Sequence, residues 1–360
     1  MTPLRRAEGT TRVLHILNQL NPSGMERMLV SGAPYFEELD CYSFVLGQGK
    51  NHPYQADLVA AGYDVRIQEH TVRTLRGQRQ LRRLIRSEKI DVVHIHTEGN
   101  YLSTVVAAAW SLRGRGVIVR TIHSVFMPRG RVFLTRFAQA LIADRFVKHL
   151  MAPSPDVAEN ERRFMRSPIV ILNWVDDKFF EIARERSTRA SSLTRSAIPI
   201  AVIVGNCSKV KRHELAISAV LHAGHKLIHI GSESGIEREE IDLLKKIEDR
   251  SNLMMRGAQA PEAALLAADY FLMSSQKEGM PVALAEALVV GLPCYITDVP
   301  GMRWAANVPF VTMLPEQHSA WNEALESYPH DTFKTTERKV EFDFSAKRGV
   351  GDYVETYRKQ

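Results

Sequence analysis

Short β-branched runs alternate with amphipathic stretches along most of the chain, and that alternation predicts its elements. Residues 12–17, with Val13, Leu14, Ile16 and Leu17, read as a strand. The turn Asn21-Pro22-Ser23-Gly24 follows, then a helix from about Met25. Residues 42–46 and 63–67 read as strands, 74–88 as a helix, 91–96 as a strand, 101–111 as a helix and 117–123 as a strand. A segment rich in Arg, Ser and Thr, 184–196, breaks the pattern and reads as a linker. Beyond it the alternation resumes, with strands at 200–204, 226–230, 253–256, 270–274 and 294–297. Helices fit 212–223, 235–249, 261–268 and 282–290, and a last one fits 345–358. Strands separated by helices at this spacing predict parallel α/β layers, here in two series. Ligands of such sheets bind beyond the carboxyl ends of the strands, so two of them joined by a linker are expected to form a cleft.

Composition narrows the class. The 360 residues suit two domains of about 150–200 residues each. An apolar content of 45% supports real cores and argues against global disorder. With 47 basic and 41 acidic residues the formal charge is +6, compatible with anionic substrates but too small to argue for nucleic acid. Cys41, Cys207 and Cys294 are far apart and odd in number, which suits a reducing cytosol better than a disulfide framework. The polar, basic start offers no signal-peptide core, and no apolar run approaches the length of a membrane span. A cytoplasmic location is therefore expected.

The most informative chemistry lies in Glu278-Gly279-Met280-Pro281-Val282-Ala283-Leu284-Ala285-Glu286. Glu278 ends a loop after an apolar strand, and Pro281 suits the first turn of a helix. A glycine-containing loop that opens a helix can aim backbone N–H groups at an anion. A carboxylate before the helix and another in its second turn suit a ligand with an anionic centre and hydroxyls at both ends. A nucleoside-diphosphate sugar fits that description. Other chemistries lack their signatures. There is no Gly-x-Gly-x-x-Gly after a strand, no Walker-type phosphate loop and no Gly-x-Ser-x-Gly elbow. No Cys/His cluster has zinc spacing, and no Asp-x-Asp metal motif is present.

Several segments in order resemble the family 4 retaining glycosyltransferases. They are Ser23-Gly24-Met25-Glu26, Val92-Val93-His94-Ile95-His96, Thr121-Ile122-His123-Ser124 and Gly205-Asn206-Cys207-Ser208-Lys209-Val210-Lys211. The double-glutamate motif, Gly291-Leu292-Pro293 and Thr297-Asp298-Val299-Pro300-Gly301 complete the series. The resemblance spans roughly residues 12–360 and implies a GT-B architecture, two Rossmann-like parallel-sheet domains facing a cleft. It places an acceptor-binding domain at 1–176, a nucleotide-sugar-binding domain at 177–344, and a C-terminal helix, 345–360, crossing back to the first domain. The activity it implies is metal-independent glycosyl transfer with retention of anomeric configuration, the nucleotide-sugar being donor substrate and no cofactor being needed.

The resemblance also implies roles. Glu278 would contact donor-sugar hydroxyls and Glu286 the ribose, since carboxylates accept paired hydrogen bonds from vicinal diols. Gly279 and Met280 would offer backbone N–H groups to the donor, which Pro281 cannot. Lys211 would neutralise the leaving diphosphate. The family pairs this lysine with an arginine at the position of Asn206, so Lys209 is the candidate for the missing cation. Gly24 would let the N-terminal loop approach the diphosphate, and Ser23 stands where a second glycine is common. His123 would lie beside the anomeric centre, with His96 on the acceptor side and His94 in a packed layer. Plain structural roles compete with these: a turn glycine at 24, a surface lysine at 211, a satisfied histidine at 123. Two other functions remain open, a nucleotide-sugar epimerase on the same fold and a non-catalytic nucleotide-sugar-binding or scaffold protein.

Arg73, Arg76, Arg79, Arg82, Arg83 and Arg86, with Leu75, Leu81, Leu84 and Ile85, form a basic amphipathic helix. It reads as a solvated face, or as a peripheral contact with anionic membrane that would suit a lipid-linked acceptor. A saccharide or small-molecule acceptor fits the resemblance equally, in surface polysaccharide, glycolipid or natural-product glycoside synthesis. Residues 129–150 also interleave arginine with Phe133, Phe137 and Phe146, but no nucleic-acid motif accompanies them.

Overall fold

A computed structural model describes residues 9–190, 198–328 and 340–359. The chain divides into two compact units, Met1–Asp176 with Ser345–Gln360, and Asp177–Phe344.

The first unit runs β1 (Thr11–Ile16), α1 (Gly24–Glu38), β2 (Cys41–Gln48), α2 (Gln55–Ala60), β3 (Asp64–Gln68), α3 (Leu75–Ser87), β4 (Val92–Ile95), α4 (Tyr101–Leu112) and β5 (Val117–Thr121). It continues with α5 (Gly130–Ala143), β6 (His149–Ala152), α6 (Pro155–Glu161) and β7 (Ile169–Val170). Its seven strands pair in parallel in the order β3-β2-β1-β4-β5-β6-β7. The central strands are buried along most of their length: Val13, Leu14, Ile16, Val93 and Ile95, with His15 and His94 between them, are almost completely hidden from solvent. That explains their mainly apolar runs, since a parallel sheet is covered on both faces. The arginine- and phenylalanine-rich stretch after His123 resolves into α5 and β6.

The second unit runs α7 (Lys178–Ala190), β8 (Ile200–Val204), α8 (His213–Ala223), β9 (Lys226–Ile230), α9 (Arg238–Asp249), β10 (Leu253–Gly257), α10 (Glu262–Ala267) and β11 (Tyr270–Met273). Then come α11 (Val282–Val289), β12 (Cys294–Thr297), β13 (Val311–Leu314) and α12 (His318–Glu326). Its six strands are again parallel, in the order β10-β9-β8-β11-β12-β13. The apolar core joins Ile203, Leu215, Val220, Leu227, Leu272 and Trp321.

The expected linker at 184–196 needs correction. Residues 184–190 are the second half of α7, and 191–196 lie outside the described residues. The composition hides an amphipathic helix, with Phe179 and Ile182 buried. Arg186 donates to the carbonyls of Leu266 (3.1 Å) and Ala268 (2.6 Å). Helix α9 starts three residues later than expected. Gly235 precedes it, packed so closely on the loop after β8 that a Cβ there would meet the Cys207 carbonyl oxygen at 2.5 Å.

The last helix, α13 (Ala346–Arg358), packs within the first unit. Ser345 caps it by accepting the Arg348 N–H at 3.3 Å. Gly349 lies against Trp174, where a Cβ would approach the indole to 2.2 Å, and Gly32 of α1 likewise meets Val350. Trp174 is anchored by donating its indole N–H to the Met28 carbonyl at 2.9 Å.

Candidate donor and acceptor sites at the switch points of the two sheets

Each sheet has one place where the strand order reverses direction. In the first unit it lies between β1 and β4, and in the second between β8 and β11. The crevice beyond the carboxyl ends of such a strand pair is where open α/β sheets bind ligands. The loops leaving these four strands carry most of the residues singled out by sequence.

In the second unit, the loop after β8 holds Asn206, Lys209 and Lys211, and the loop after β11 holds Glu278 and Gly279. The two loops are fastened together. Gln276 donates its backbone N–H to the Val210 carbonyl at 2.8 Å. The Ser274 hydroxyl reaches the carbonyls of Arg212 (2.6 Å) and Lys211 (3.2 Å). Lys211 Nζ then donates to Glu278 Oε1 at 2.6 Å, joining two residues 67 positions apart. Their side chains are 27% and 13% exposed. A partly solvated pair of this kind adds only on the order of 1 kcal/mol to stability. Its consequence is positional: a cation and a carboxylate share one spot at a strand-end crevice.

Glu278 is also held from behind. Its backbone N–H points to the Pro300 carbonyl at 3.3 Å. Gly301, at φ +88°, lies so close that a Cβ would sit 2.0 Å from the Glu278 carbonyl oxygen. Gly279, Met280 and Pro281 are buried, and α11 starts directly after Pro281 in its extended conformation. Glu286 lies inside α11 and is 4% exposed. Asn206 is exposed, and its side-chain oxygen accepts the Ser232 backbone N–H at 2.9 Å, bridging to the loop after β9. Lys209 is exposed and forms no ion pair among the described residues.

In the first unit, Gly24 opens α1 at the β1 side of the switch point. Ser23 donates its hydroxyl to the Glu26 carboxylate. Burial pushes the Glu26 carboxyl above its ordinary range, with the Ser23 hydrogen bond opposing. On the β4 side, His96 is 5% exposed and linked at both ring nitrogens. His15 Nδ1 lies 3.1 Å from His96 Nε2, and His96 Nδ1 lies 3.0 Å from His123 Nε2. Burial lowers His15 to about 3. It lowers His123 to about 4, with Glu98 opposing. It also holds His96 well below the usual histidine range, with the neighbouring histidines adding to the effect. These rings are therefore neutral near pH 7, and the three form a hydrogen-bonded row ending at the half-buried His123. His94 is buried on the same face of β4 as His96, with the two ring centroids 3.9 Å apart, and its two nitrogens meet the Tyr357 hydroxyl (2.7 Å) and the Thr121 hydroxyl (2.8 Å).

Sequence reasoning missed His15, Ser274 and the structural part played by Gly301. Gly301 closes a motif already noted at 297–301, but its use, close approach to Glu278, depends on a contact between two loops. The basic helix at 73–86 is α3 with its entry. Leu81 and Ile85 are buried in the core, and five of its arginines are exposed. Arg82 instead lays its guanidinium 3.6 Å over the Trp110 ring. No helix among the described residues is long and apolar enough to cross a membrane.

Two parallel-sheet units with loop chemistry at their switch points define the GT-B class of fold, and comparisons with known proteins agree. A glycosyltransferase from Rickettsia africae ESF-5 superposes with a TM-score of 0.78 at 14% identity, covering 97% of this chain and 98% of that one. Anabaena Alr3699/HepE, solved with UDP and glucose, gives 0.69 at 16% identity over 96% and 95% of the two chains. Residues 22–179 match the family model described as Glycosyltransferase Family 4, and residues 185–340 match that of Glycosyl transferases group 1. A curated Bacillus subtilis (strain 168) protein, "Putative glycosyltransferase EpsF", is 23% identical over 96% of each chain. The chain is a glycosyltransferase of the GT-B type.

Proposed function

We propose that this protein is a family 4 enzyme that moves a glycosyl group from a nucleoside-diphosphate sugar to an acceptor with retention of configuration. The observation that carries the reading is the Lys211–Glu278 pair at 2.6 Å, set at the switch point of the second sheet. Cleaving the bond to the diphosphate builds negative charge on the leaving group, and a fixed ammonium lowers that barrier. Glu278 then faces the sugar hydroxyls, and Glu286 the ribose. Gly279 and Met280 present backbone to the donor. Gly24 opens α1 of the first unit, whose N-terminal backbone groups suit a phosphate. His123 stands at the anomeric centre and His96 behind it on the acceptor side. Attack occurs on the face that the diphosphate leaves, with the leaving phosphate taking the acceptor proton. In this reading Lys211, helped by Lys209, carries out the charge neutralisation, so the transfer itself needs no metal.

Asn206 replaces an arginine of the resemblance, and its engagement with Ser232 gives it a bridging role in this chain. That observation keeps a second reading open, a protein that binds nucleotide-sugar without turnover. The exposed arginines of α3 are proposed to touch the anionic inner face of a membrane, where a lipid-linked acceptor would be found.

The test is a binding and turnover screen of UDP-, GDP-, ADP- and dTDP-sugars, begun with UDP-glucose because HepE was solved with UDP and glucose. Transfer requires an acceptor, and Glu278→Ala should abolish it in a folded protein. Release of free sugar and nucleotide from donor alone, with no acceptor product, would favour an epimerase. Binding without turnover on any acceptor would favour the non-catalytic reading.

A further inference from the structure

Four buried side chains from four different elements of the second unit converge on one point. Cys207 comes from the loop after β8, His213 from the start of α8, His229 from β9 and Glu240 from α9. All four are at most 4% exposed. Cys207 Sγ lies 3.0 Å from Glu240 Oε1 and 3.9 Å from His229 Nε2. His213 Nδ1 lies 3.1 Å from His229 Nε2 and 3.3 Å from Glu240 Oε1. His229 Nε2 and Glu240 Oε1 are 3.2 Å apart.

A hydrogen-bond network explains these distances poorly. If both histidines donate to Glu240, then His213 Nδ1 and His229 Nε2 oppose two N–H groups across 3.1 Å. That arrangement also aims three donors, with the thiol, at one carboxylate oxygen, which has two lone pairs. If His229 donates to His213 instead, the His213 lone pair faces Glu240 Oε1 at 3.3 Å. With Glu240 ionised, no assignment of protons satisfies the four contacts of 3.0 to 3.3 Å together. Four lone pairs aimed at a shared centre satisfy them together. For a tetrahedral zinc ion with ordinary Zn–S, Zn–N and Zn–O bonds, the donor atoms stand about 3.3 to 3.6 Å apart. The five observed separations scatter around that range.

We propose that Cys207, His213, His229 and Glu240 form a structural zinc site. Zinc binding releases the Cys207 thiol proton to solvent. Thiolate and carboxylate then balance the charge of the dication, leaving a neutral buried centre. A sulfur, two imidazoles and a carboxylate whose donor atoms all lie within 4.8 Å of one another match zinc better than magnesium or calcium, which take oxygen ligands. With four protein ligands the site is closed, which marks a structural ion rather than a Lewis acid for substrate. It ties both ends of the 207–213 loop to β9 and α9. That loop carries Lys209 and Lys211, so the ion would fix their platform. Sequence spacing conceals the set, because its members lie far apart and only the βαβα winding brings them together. The second histidine group, His15, His94 and His96, does not compete as a site, because both His94 nitrogens are already held by Tyr357 and Thr121.

The test uses the full chain, purified, stripped with a chelator and dialysed, then titrated with Zn2+ against a chromophoric competitor. The expected result is roughly one zinc per chain, with the protein melting at higher temperature in the zinc form. Cobalt(II) in place of zinc should give tetrahedral visible bands and a thiolate-to-cobalt charge-transfer band in the near ultraviolet. Cys207→Ser should remove the charge-transfer band and weaken zinc at least about tenfold. His229→Gln should weaken zinc similarly, while Cys294→Ala, at the other buried cysteine of this unit, should leave both readouts unchanged. A wild-type chain that takes up neither zinc nor cobalt overturns the proposal. So does a charge-transfer band that survives Cys207→Ser or is lost in a folded Cys294→Ala protein. None of these readouts requires sugar transfer, so the outcome stands apart from that of the proposed function.

Discussion

Gly301→Ala is the most informative single perturbation, because the residue has no ligand contact in the proposed reaction and acts through the backbone of Glu278 and Gly279. Two costs can be worked from the structure. At φ +88° an alanine occupies a region that L-residues avoid, at about 1–2 kcal/mol. Its Cβ would also stand 2.0 Å from the Glu278 carbonyl oxygen and 2.9 Å from that of Gly279. Non-bonded heavy atoms settle at about 3.5 Å, so the two backbone segments must part by more than about 1 Å. Strain and overpacking together should cost about 2–4 kcal/mol. For a unit of this size that is a fall of about 5–15 °C in melting temperature. The same displacement moves the Glu278 carboxylate from Lys211, and a 1 Å error in a positioned group costs about 100-fold in rate. Thermal unfolding gives the first readout, and kcat/KM with the donor found by the screen gives the second. Gly351→Ala is the control: a Cβ there meets nothing within 4 Å, and it should be neutral or stabilise by about 0.5–1 kcal/mol. Wild-type melting and wild-type turnover in Gly301→Ala would refute the claim that this approach positions Glu278.

The remaining predictions concern both units. Lys211→Met should leave the melting temperature within a few degrees of wild type, because the broken pair is partly solvated, yet lower kcat by about 100-fold or more; a variant with normal kcat would remove Lys211 from the mechanism. Asn206→Arg should tighten donor binding in a direct titration, and weaker binding would count against the alignment of this position. Gly349→Ala should drive a methyl into the Trp174 ring and destabilise the first unit by about 1–3 kcal/mol; protection of α1 and α13 in hydrogen exchange should fall together, and unchanged protection would refute the packing argument. The buried histidines make stability depend on pH. Their folded values are depressed, His15 to about 3 and His123 to about 4, so below the ordinary value the unfolded chain binds more protons than the folded one. Their contribution is complete above about pH 6.5 and is lost progressively as pH falls toward 4, by up to about 1.4 kcal/mol per pH unit for each histidine. His123→Asn should flatten urea-unfolding stability against pH in that window, and an unchanged slope would show that His123 is charged in the folded state.

Much of the fold was legible because hydrophobic period follows directly from what each element buries. The runs at 12–17, 91–96, 200–204 and 270–274 are central strands covered on both faces, so each is mainly apolar, interrupted in the first two only by buried histidines and by a polar residue at the start, and propensity and period identify them. The reading failed where composition and periodicity disagree. Residues 184–190 look like a linker by their arginines and serines, yet Arg186 serves the α10 carbonyl ends and Phe179 and Ile182 face the core. The candidate site was legible where its chemistry is contiguous, from Glu278 to Glu286, and where a glycine or proline marks a turn. It was not legible where function depends on distance across the sheet. Nothing in the order of residues reveals that Ser274 fastens the Lys211 loop, that His15 completes the row to His123, or that Cys207 meets Glu240.

The order of residues alone carries the alternation of strand and helix, and with it two parallel-sheet units, the glutamate-bearing helix start, and the resemblance that names a reaction class. These are local properties, set by the burial period of each segment and by the turn chemistry between segments. Which loops become neighbours is settled by the packed fold. Strand order is a global choice: placing β11 beside β8, and β4 beside β1, opens the two switch points and brings Lys211 to Glu278 and His96 to His15 and His123. Packing α8 and α9 against the same sheet gathers Cys207, His213, His229 and Glu240 within it. Contacts between residues tens of positions apart depend on how the sheet is wound, and that winding follows from burying all the apolar faces at once rather than from any one stretch of chain.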